Sequence, residues 1–379
     1  MIPQIGIEIL KELNVKKGRL LDPYCGSGTS FIIGLDRGLK EMCGYDINPL
    51  AVLISRTKYT KIDVERVKLL RQRLRNKVFE FVKKEKNLKD ISIPQFTNIN
   101  FWYSKQVLLN LSIIQYFINK ITDKNIKRIF LVPFSETVRQ CSYTRANEFK
   151  LYRIKEEDII HFNPDVFGVY FEKLNTVIEV YEKYYYPKLG ESKITIDYQK
   201  FPQQENYFDI VLTSPPYGDS STTVAYGQFS NFSNLWLGIK NARQIDKLLM
   251  GGDMVKDVYQ NSLITDYINS VKKESIKRAL QVSSFYFDLS SSIKDVAKSV
   301  KKNGKVVYVV GNRTVKNIQL PTDQFIAEQF IQNGFKHILT YERALSNKIM
   351  PVKNSPSNIS GNHKTTIMKE YIVVCEKMR

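Results

Sequence analysis

The stretch LLDPYCGSGTS at residues 20–30 decides the fold. Leu20 and Leu21 end a short apolar run, Gly26 and Gly28 allow close backbone approach, and Thr29 and Ser30 begin a helical pattern. Strand, tight turn, helix is the opening unit of a doubly wound α/β fold, whose ligand lies on the turn beyond the strand. The next apolar run, EMCGYDINPLA at 41–51, ends in Asp46, eighteen positions after Gly28. A carboxylate at that distance suits the ribose hydroxyls of a nucleoside. The turn lacks the full G-x-G-x-x-G spacing that cradles a pyrophosphate, so a ligand without phosphates suits it better.

A second string, FDIVLTSPPYG at 208–218, is an apolar strand stopped by two prolines and an aromatic. Ser214, Pro215, Pro216 and Tyr217 therefore fall at the strand's carboxyl end, where open α/β sheets bind their ligands. Two consecutive prolines fix φ and remove two N–H donors, which leaves carbonyl oxygens as the rigid polar feature. Such acceptors serve an exocyclic amine, whose lone pair stays delocalised into its ring until an N–H hydrogen bond draws it back. Ser214 Oγ and the Pro215 carbonyl are the candidates, with Tyr217 placed to stack on a planar base.

In this order the two strings resemble the cofactor and catalytic motifs of the amino-methylating DNA methyltransferases, which use S-adenosylmethionine. The resemblance implies a Rossmann-like, seven-stranded class I methyltransferase sheet, α/β in class, with a largely helical insertion between the motifs. It implies that Asp22, Pro23, Tyr24, Cys25, Gly26, Ser27, Gly28 and Thr29 hold the methionine portion of the cofactor and that Asp46 holds its ribose. Asp197, in the short strand KITIDYQKF, is the candidate for the adenine amino group, and Ile2-Pro3-Gln4 for the segment that covers the methionine tail. It implies direct methyl transfer at Ser214, Pro215, Pro216 and Tyr217 to a base swung out of double-stranded DNA. Serine before PPY is typical of the cytosine-N4 enzymes, whereas Asp or Asn predominates in the adenine-N6 enzymes. Ser214 thus points to N4-methylcytosine, in a restriction–modification system with a cognate restriction endonuclease.

Composition agrees with a polyanionic partner. The 57 Lys and Arg against 38 Asp and Glu leave a formal charge of +19, and each basic group on a phosphate releases counterions. The lysine-rich usage of an AT-rich genome is the bland account of the same excess. With 43 % hydrophobic and 12 % aromatic residues a core is easily supplied. Four scattered cysteines and three histidines argue against structural zinc or a disulfide framework, and no metal is expected. No apolar run reaches membrane-spanning length, so a cytoplasmic protein with no membrane partner is expected.

The two motifs lie nearly two hundred positions apart, far more than two neighbouring strands need. The expected division is a cofactor-binding part at 1–60, a helical insertion at 61–190 as candidate target-recognition region, and a catalytic part at 191–379. Within the insertion, SETVRQCSYTRANEFKLYR sets Arg139, Arg145, Lys150 and Arg153 among Ser, Thr, Asn and Tyr, residue types suited to phosphates and base edges. The loop SNKIMPVKNSPSNISGNHKTT is basic and is a further candidate to lie against DNA. The last third reads as helices followed by a strand, a helix and two more strands, which completes the sheet with an antiparallel hairpin.

Two enzyme readings and one non-enzyme reading compete. Adenine-N6 methylation needs the same fold and cofactor. RNA guanine-N2 methyltransferases also pair DPxCGSGT with PPYG, but usually carry Asp before PPY and an added RNA-binding domain. A non-catalytic nucleic-acid-binding subunit would show a degraded glycine turn or PPY, and both are intact here.

Overall fold

Arg19–Asp22 forms strand β1, and its two leucines point to opposite faces of a central sheet, as alternation along a strand requires. The sheet belongs to a computed structural model that describes residues 3–84, 90–146, 148, 150–199, 202–219, 222–223, 226–344, 353–354, 364–365 and 369–378. Its other strands are β2 (Glu41–Asp46), β3 (Lys193–Tyr198), β4 (Phe208–Thr213), β5 (Val300–Gly311), β6 (Phe335–Ala344) and β7 (Lys369–Lys377). Their order is β3-β2-β1-β4-β5-β7-β6. The first five are parallel, and β7 runs antiparallel between β5 and β6. The architecture is thus the seven-stranded α/β sheet expected from the sequence, with its closing hairpin.

Both faces of the sheet are covered, which explains the near-continuous apolar strands. Val307 and Val309 of β5 face one apolar cluster, and Val306, Tyr308 and Val310 face the other. In β4 the alternation breaks between Phe208 and Ile210, where the register with β5 shifts.

Among the described residues, the longer helices on one face are α1 (Pro3–Glu12), α2 (Thr29–Asp36), α3 (Pro49–Tyr59), α4 (Val64–Lys83), α5 (Lys105–Asn119), α6 (Lys124–Gln140), α7 (Val166–Val180) and α8 (Tyr226–Trp236). The other carries α9 (Thr265–Glu274), α10 (Ile276–Ser299) and α11 (Thr322–Gln332). Side-chain caps set several helix starts: Asn48 accepts from Leu50 N, Asp63 from Arg66 N, Ser104 from Val107 N and Asp165 from Gly168 N.

The long stretch between β2 and β3 is helical, as its pattern predicts. Its buried residues, among them Phe130, Phe134 and Tyr170, join the same cluster as Leu20 and Phe31. Of the basic loop before β7, only the two-residue ladder of 353–354 with 364–365 is described; the rest lies outside the described residues, as does Ile2.

The strand order places β1 between β2 and β4, and the chain leaves β1 toward one side and returns on the other. A crevice opens beyond the carboxyl ends of strands at such a reversal. Both sequence motifs end there.

Candidate active site

Beyond β1 the chain makes its glycine turn. Gly26 and Gly28 have φ of +50° and +83°, in the left-handed region that glycine adopts at little cost. A Cβ on Gly28 would also lie 2.5 Å from Cε2 of Tyr59. The turn is held from below by α3: Ser55 Oγ donates to the Gly26 carbonyl at 2.6 Å, Lys58 Nζ to Ser27 O at 3.0 Å, and Tyr59 OH to Gly28 O at 2.5 Å. On the turn's other side Gly26, Ser27 and Thr29 line a cavity.

Asp22 closes β1 and is buried. Its carboxylate accepts from the Ser30 hydroxyl at 2.5 Å, the Thr213 hydroxyl at 2.5 Å and the Tyr24 amide at 3.1 Å. Burial pushes its carboxyl up, and those three donors pull against it. Asp46 closes β2 and accepts from Gly26 N at 2.9 Å and Asn48 N at 2.8 Å. Burial pushes its carboxyl up to about 6, against the two amides. Asn48 in turn joins the turn to α8: its Nδ2 donates to Ser230 Oγ at 3.1 Å, and Asn234 Nδ2 donates to its Oδ1 at 3.2 Å.

Ser214 to Tyr217 follow β4 directly. Ser214 Oγ donates to Tyr217 OH at 3.4 Å, and Tyr217 OH donates to Glu370 Oε1 on β7 at 2.9 Å. Glu370 is itself paired with Arg343 of β6, 2.9 Å away. The loop's far end is fixed by a buried ion pair between Arg313 Nη1 and Asp219 Oδ2 at 2.6 Å. Arg313 Nη2 also donates to Thr222 Oγ1 at 2.6 Å.

The two motifs line one cavity of about 640 Å³. Asp22, Pro23, Tyr24, Cys25, Gly26, Ser27, Thr29 and Asp46 form one wall, and Ser214, Pro215, Pro216 and Tyr217 another. Gly28 is not in the lining and stands behind it against Tyr59. Asp197 is not in the lining either: its carboxylate is 2.7 Å from Arg56 Nη2, and Gln199, two positions on and past the strand's end, reaches the cavity.

The cavity's remaining walls come from further along the chain. Tyr226, Phe229 and Ser230 come from α8, Leu248, Leu249 and Met250 from the chain beyond it, and Asp288 and Ser292 from α10. The polar, aromatic stretch GDSSTTVAYGQFSNFSNLWLG at 218–238 reads in the sequence as a loop and short helix flanking the base pocket, which is the signal for α8. For α10 there was none, because the helix touches the cavity only through two residues one turn apart.

The four basic residues of the insertion separate into two kinds. Tyr143, Arg145, Tyr152 and Ile154 make a small antiparallel turn through the Arg145 N to Tyr152 O and Ile154 N to Tyr143 O bonds, with a Thr144–Arg153 bridge. Arg145 and Lys150 are exposed near its tip. Arg153 turns inward, donating to the Phe101 carbonyl at 2.9 Å and lying 4.2 Å over its ring. Arg139 donates to the Phe229 carbonyl at 3.0 Å and lies 4.2 Å over that ring, so α6 grips a wall of the cavity.

No protein-family model matches the chain. The structure is similar to the rRNA methyltransferase AviRa from Streptomyces viridochromogenes, with TM-score 0.32 and 10 % identity over 99 % of this chain and 85 % of that one. A Type II methyltransferase of Methanocaldococcus jannaschii, M.MjaII, is 34 % identical over 89 residues, 24 % of this chain and 16 % of that protein. The Type II methyltransferase M.MvaI of Kocuria varians is 38 % identical over 403 aligned positions, 99 % of this chain and 88 % of that protein. Identity at that level along almost the whole of both chains makes this protein a member of the Type II methyltransferase family.

Proposed function

We propose that this protein methylates DNA at a specific site, transferring the methyl group of S-adenosylmethionine to the exocyclic N4 of cytosine. The observation that carries the reading is the single cavity, at the sheet's reversal, which the glycine turn and the SPPY loop share. Its volume of about 640 Å³ is in the range of sites for small cofactors.

The residues fit a nucleoside cofactor. Asp46 stands at the end of β2 with its carboxylate fixed by two backbone amides, as a ribose acceptor should be. The 22–29 turn presents small residues and backbone toward the space where the methionine portion would lie, and Gln199 is the polar group beyond β3. Bound there, S-adenosylmethionine supplies an electrophilic methyl group on a sulfonium.

The chain's own part is to hold and activate the amine. Ser214 Oγ and the Pro215 carbonyl accept its two N–H bonds, which draws the lone pair out of the ring and toward the methyl group. Tyr217, with its hydroxyl anchored on Glu370, offers a fixed ring face to a base taken out of the stack. The net charge of +19 supports binding to the duplex, and family membership supports a role beside a cognate endonuclease in restriction–modification.

The test is transfer of labelled methyl groups to mixed genomic DNA, followed by nucleoside digestion and mass spectrometry, for wild type, Ser214→Ala and Tyr217→Ala. N4-methylcytosine that disappears in the variants is the expected result. N6-methyladenine would keep the site and overturn the base assignment, and label entering RNA alone would overturn the DNA reading.

A further inference from the structure

Methyl transfer to an amine leaves a proton to be removed. The carbon–sulfur bond breaks with its electron pair kept on sulfur, and the amine lone pair forms the new carbon–nitrogen bond. The nitrogen then bears a positive charge and one hydrogen too many. A serine hydroxyl can pass such a proton on but cannot keep it.

We propose that the proton leaves through Ser214 and Tyr217 to Glu370, an inference that rests on the reading of the site given above. Ser214 Oγ takes the amine proton while passing its own to Tyr217 Oη, and Tyr217 passes its own to Glu370 Oε1. The result is a neutral methylated amine and a protonated Glu370, which returns its proton to solvent through a side chain that is 15 % exposed.

Two features of the molecule carry this. Both hydrogen bonds already point the required way, from Ser214 to Tyr217 at 3.4 Å and from Tyr217 to Glu370 at 2.9 Å. The first is long for a hydroxyl pair, and bonds of this kind tighten once substrate is bound. The chain also ends on a carboxylate that is held in place: Glu370 lies opposite Arg343 in the β7–β6 register, with the guanidinium 2.9 Å from its other oxygen. A protonated, ring-conjugated amine is a strong acid, so its proton runs downhill to a carboxylate. Glu370 touches no reacting atom and acts through Tyr217.

Glu370→Gln separates proton acceptance from positioning, because the amide oxygen still accepts from Tyr217 but cannot take its proton. Single-turnover methyl transfer by this variant is expected to fall on the order of 10²-fold, with affinities for DNA and S-adenosylmethionine unchanged and the solvent deuterium isotope effect altered. Glu370→Asp should recover part of the rate. Lys369→Gln breaks another ion pair between the same two strands, Lys369 with Glu342, and touches neither Glu370 nor Tyr217; it is expected to keep the rate. Wild-type transfer by Glu370→Gln would overturn the relay, as would an equal loss in Lys369→Gln, which would mark the effect as structural. A wild-type protein that methylates no DNA would instead overturn the reading of the site, and the relay with it.

Discussion

Thr213 donates its hydroxyl to Oδ1 of Asp22 at 2.5 Å, across 191 positions of sequence. Asp22 closes β1 and Thr213 closes β4, which are neighbours in the sheet. The bond therefore ties the glycine turn to the loop that begins at Ser214, and it does so from beneath the cavity both line.

Replacing Thr213 by Val keeps the shape and deletes this bond, leaving a buried carboxylate with one donor fewer. The expected cost is ~1–3 kcal/mol of stability, the usual penalty for a buried polar group deprived of a partner. Thermal denaturation should show a lower melting temperature for Thr213→Val and recovery in Thr213→Ser. A valine variant as stable as wild type would sink the idea that Asp22 joins the motifs.

If Asp46 holds the ribose as proposed, cofactor binding should depend on pH. Burial raises its carboxyl to about 6. The folded protein therefore holds this proton over a range in which the unfolded chain has lost it. By itself the group lowers stability as pH rises through that range toward about 6. Binding has the opposite sign, since ribose hydroxyls donate to the ionised form. Calorimetric titration with S-adenosylmethionine should give weaker binding at about pH 5 than at about pH 7.5, where a carboxyl of this kind is ionised. Asp46→Asn should be weak at both. Equal wild-type affinity at the two values would exclude Asp46 as the titrating contact.

Gly28 is needed for two separate reasons. Its φ of +83° is strained for any side chain, and a Cβ would press on Tyr59. Gly28→Ala should destabilise the protein by ~1–3 kcal/mol through backbone strain alone, and it should also loosen cofactor binding because the turn moves. Gly38, with a positive φ and open space around it, is the control: alanine there meets the strain without the clash and should leave cofactor affinity unchanged.

The inward and outward arginines of the insertion should respond differently. Arg145→Ala and Lys150→Ala are expected to weaken DNA binding and to reduce its salt slope by about one phosphate contact each. Arg139→Gln should leave that slope alone, since its guanidinium is spent on the Phe229 carbonyl and ring. It should lower the turnover number through a displaced Phe229. Salt titrations of affinity by fluorescence anisotropy decide this: a reduced slope in Arg139→Gln would show that this side chain reaches phosphate.

Much of the fold was legible because its signals are local. The apolar runs at β1, β2 and β4, the glycines at 26 and 28 and the paired prolines at 215 and 216 constrain their own backbone wherever the chain goes. The C-terminal elements could be read for the same reason, with Gly334 following the end of α11 at a φ of +86°. Arg139 and Arg153 show where such reading stops. An arginine among polar neighbours looks alike in sequence whether it faces a phosphate or a carbonyl, and here Phe229 and Phe101 supplied the carbonyls.

The sequence by itself determined the α/β class and the place of the two motifs at their strand ends, because alternation, glycine and proline act within a few residues. Only the tertiary structure decided that Gln199 rather than Asp197 faces the cavity, that α8 and α10 wall it, and that Tyr217 is anchored on Glu370. Those relations join residues far apart in the chain. They depend on strand order, on which position passes the end of its strand, and on which partner the fold brings within hydrogen-bonding distance.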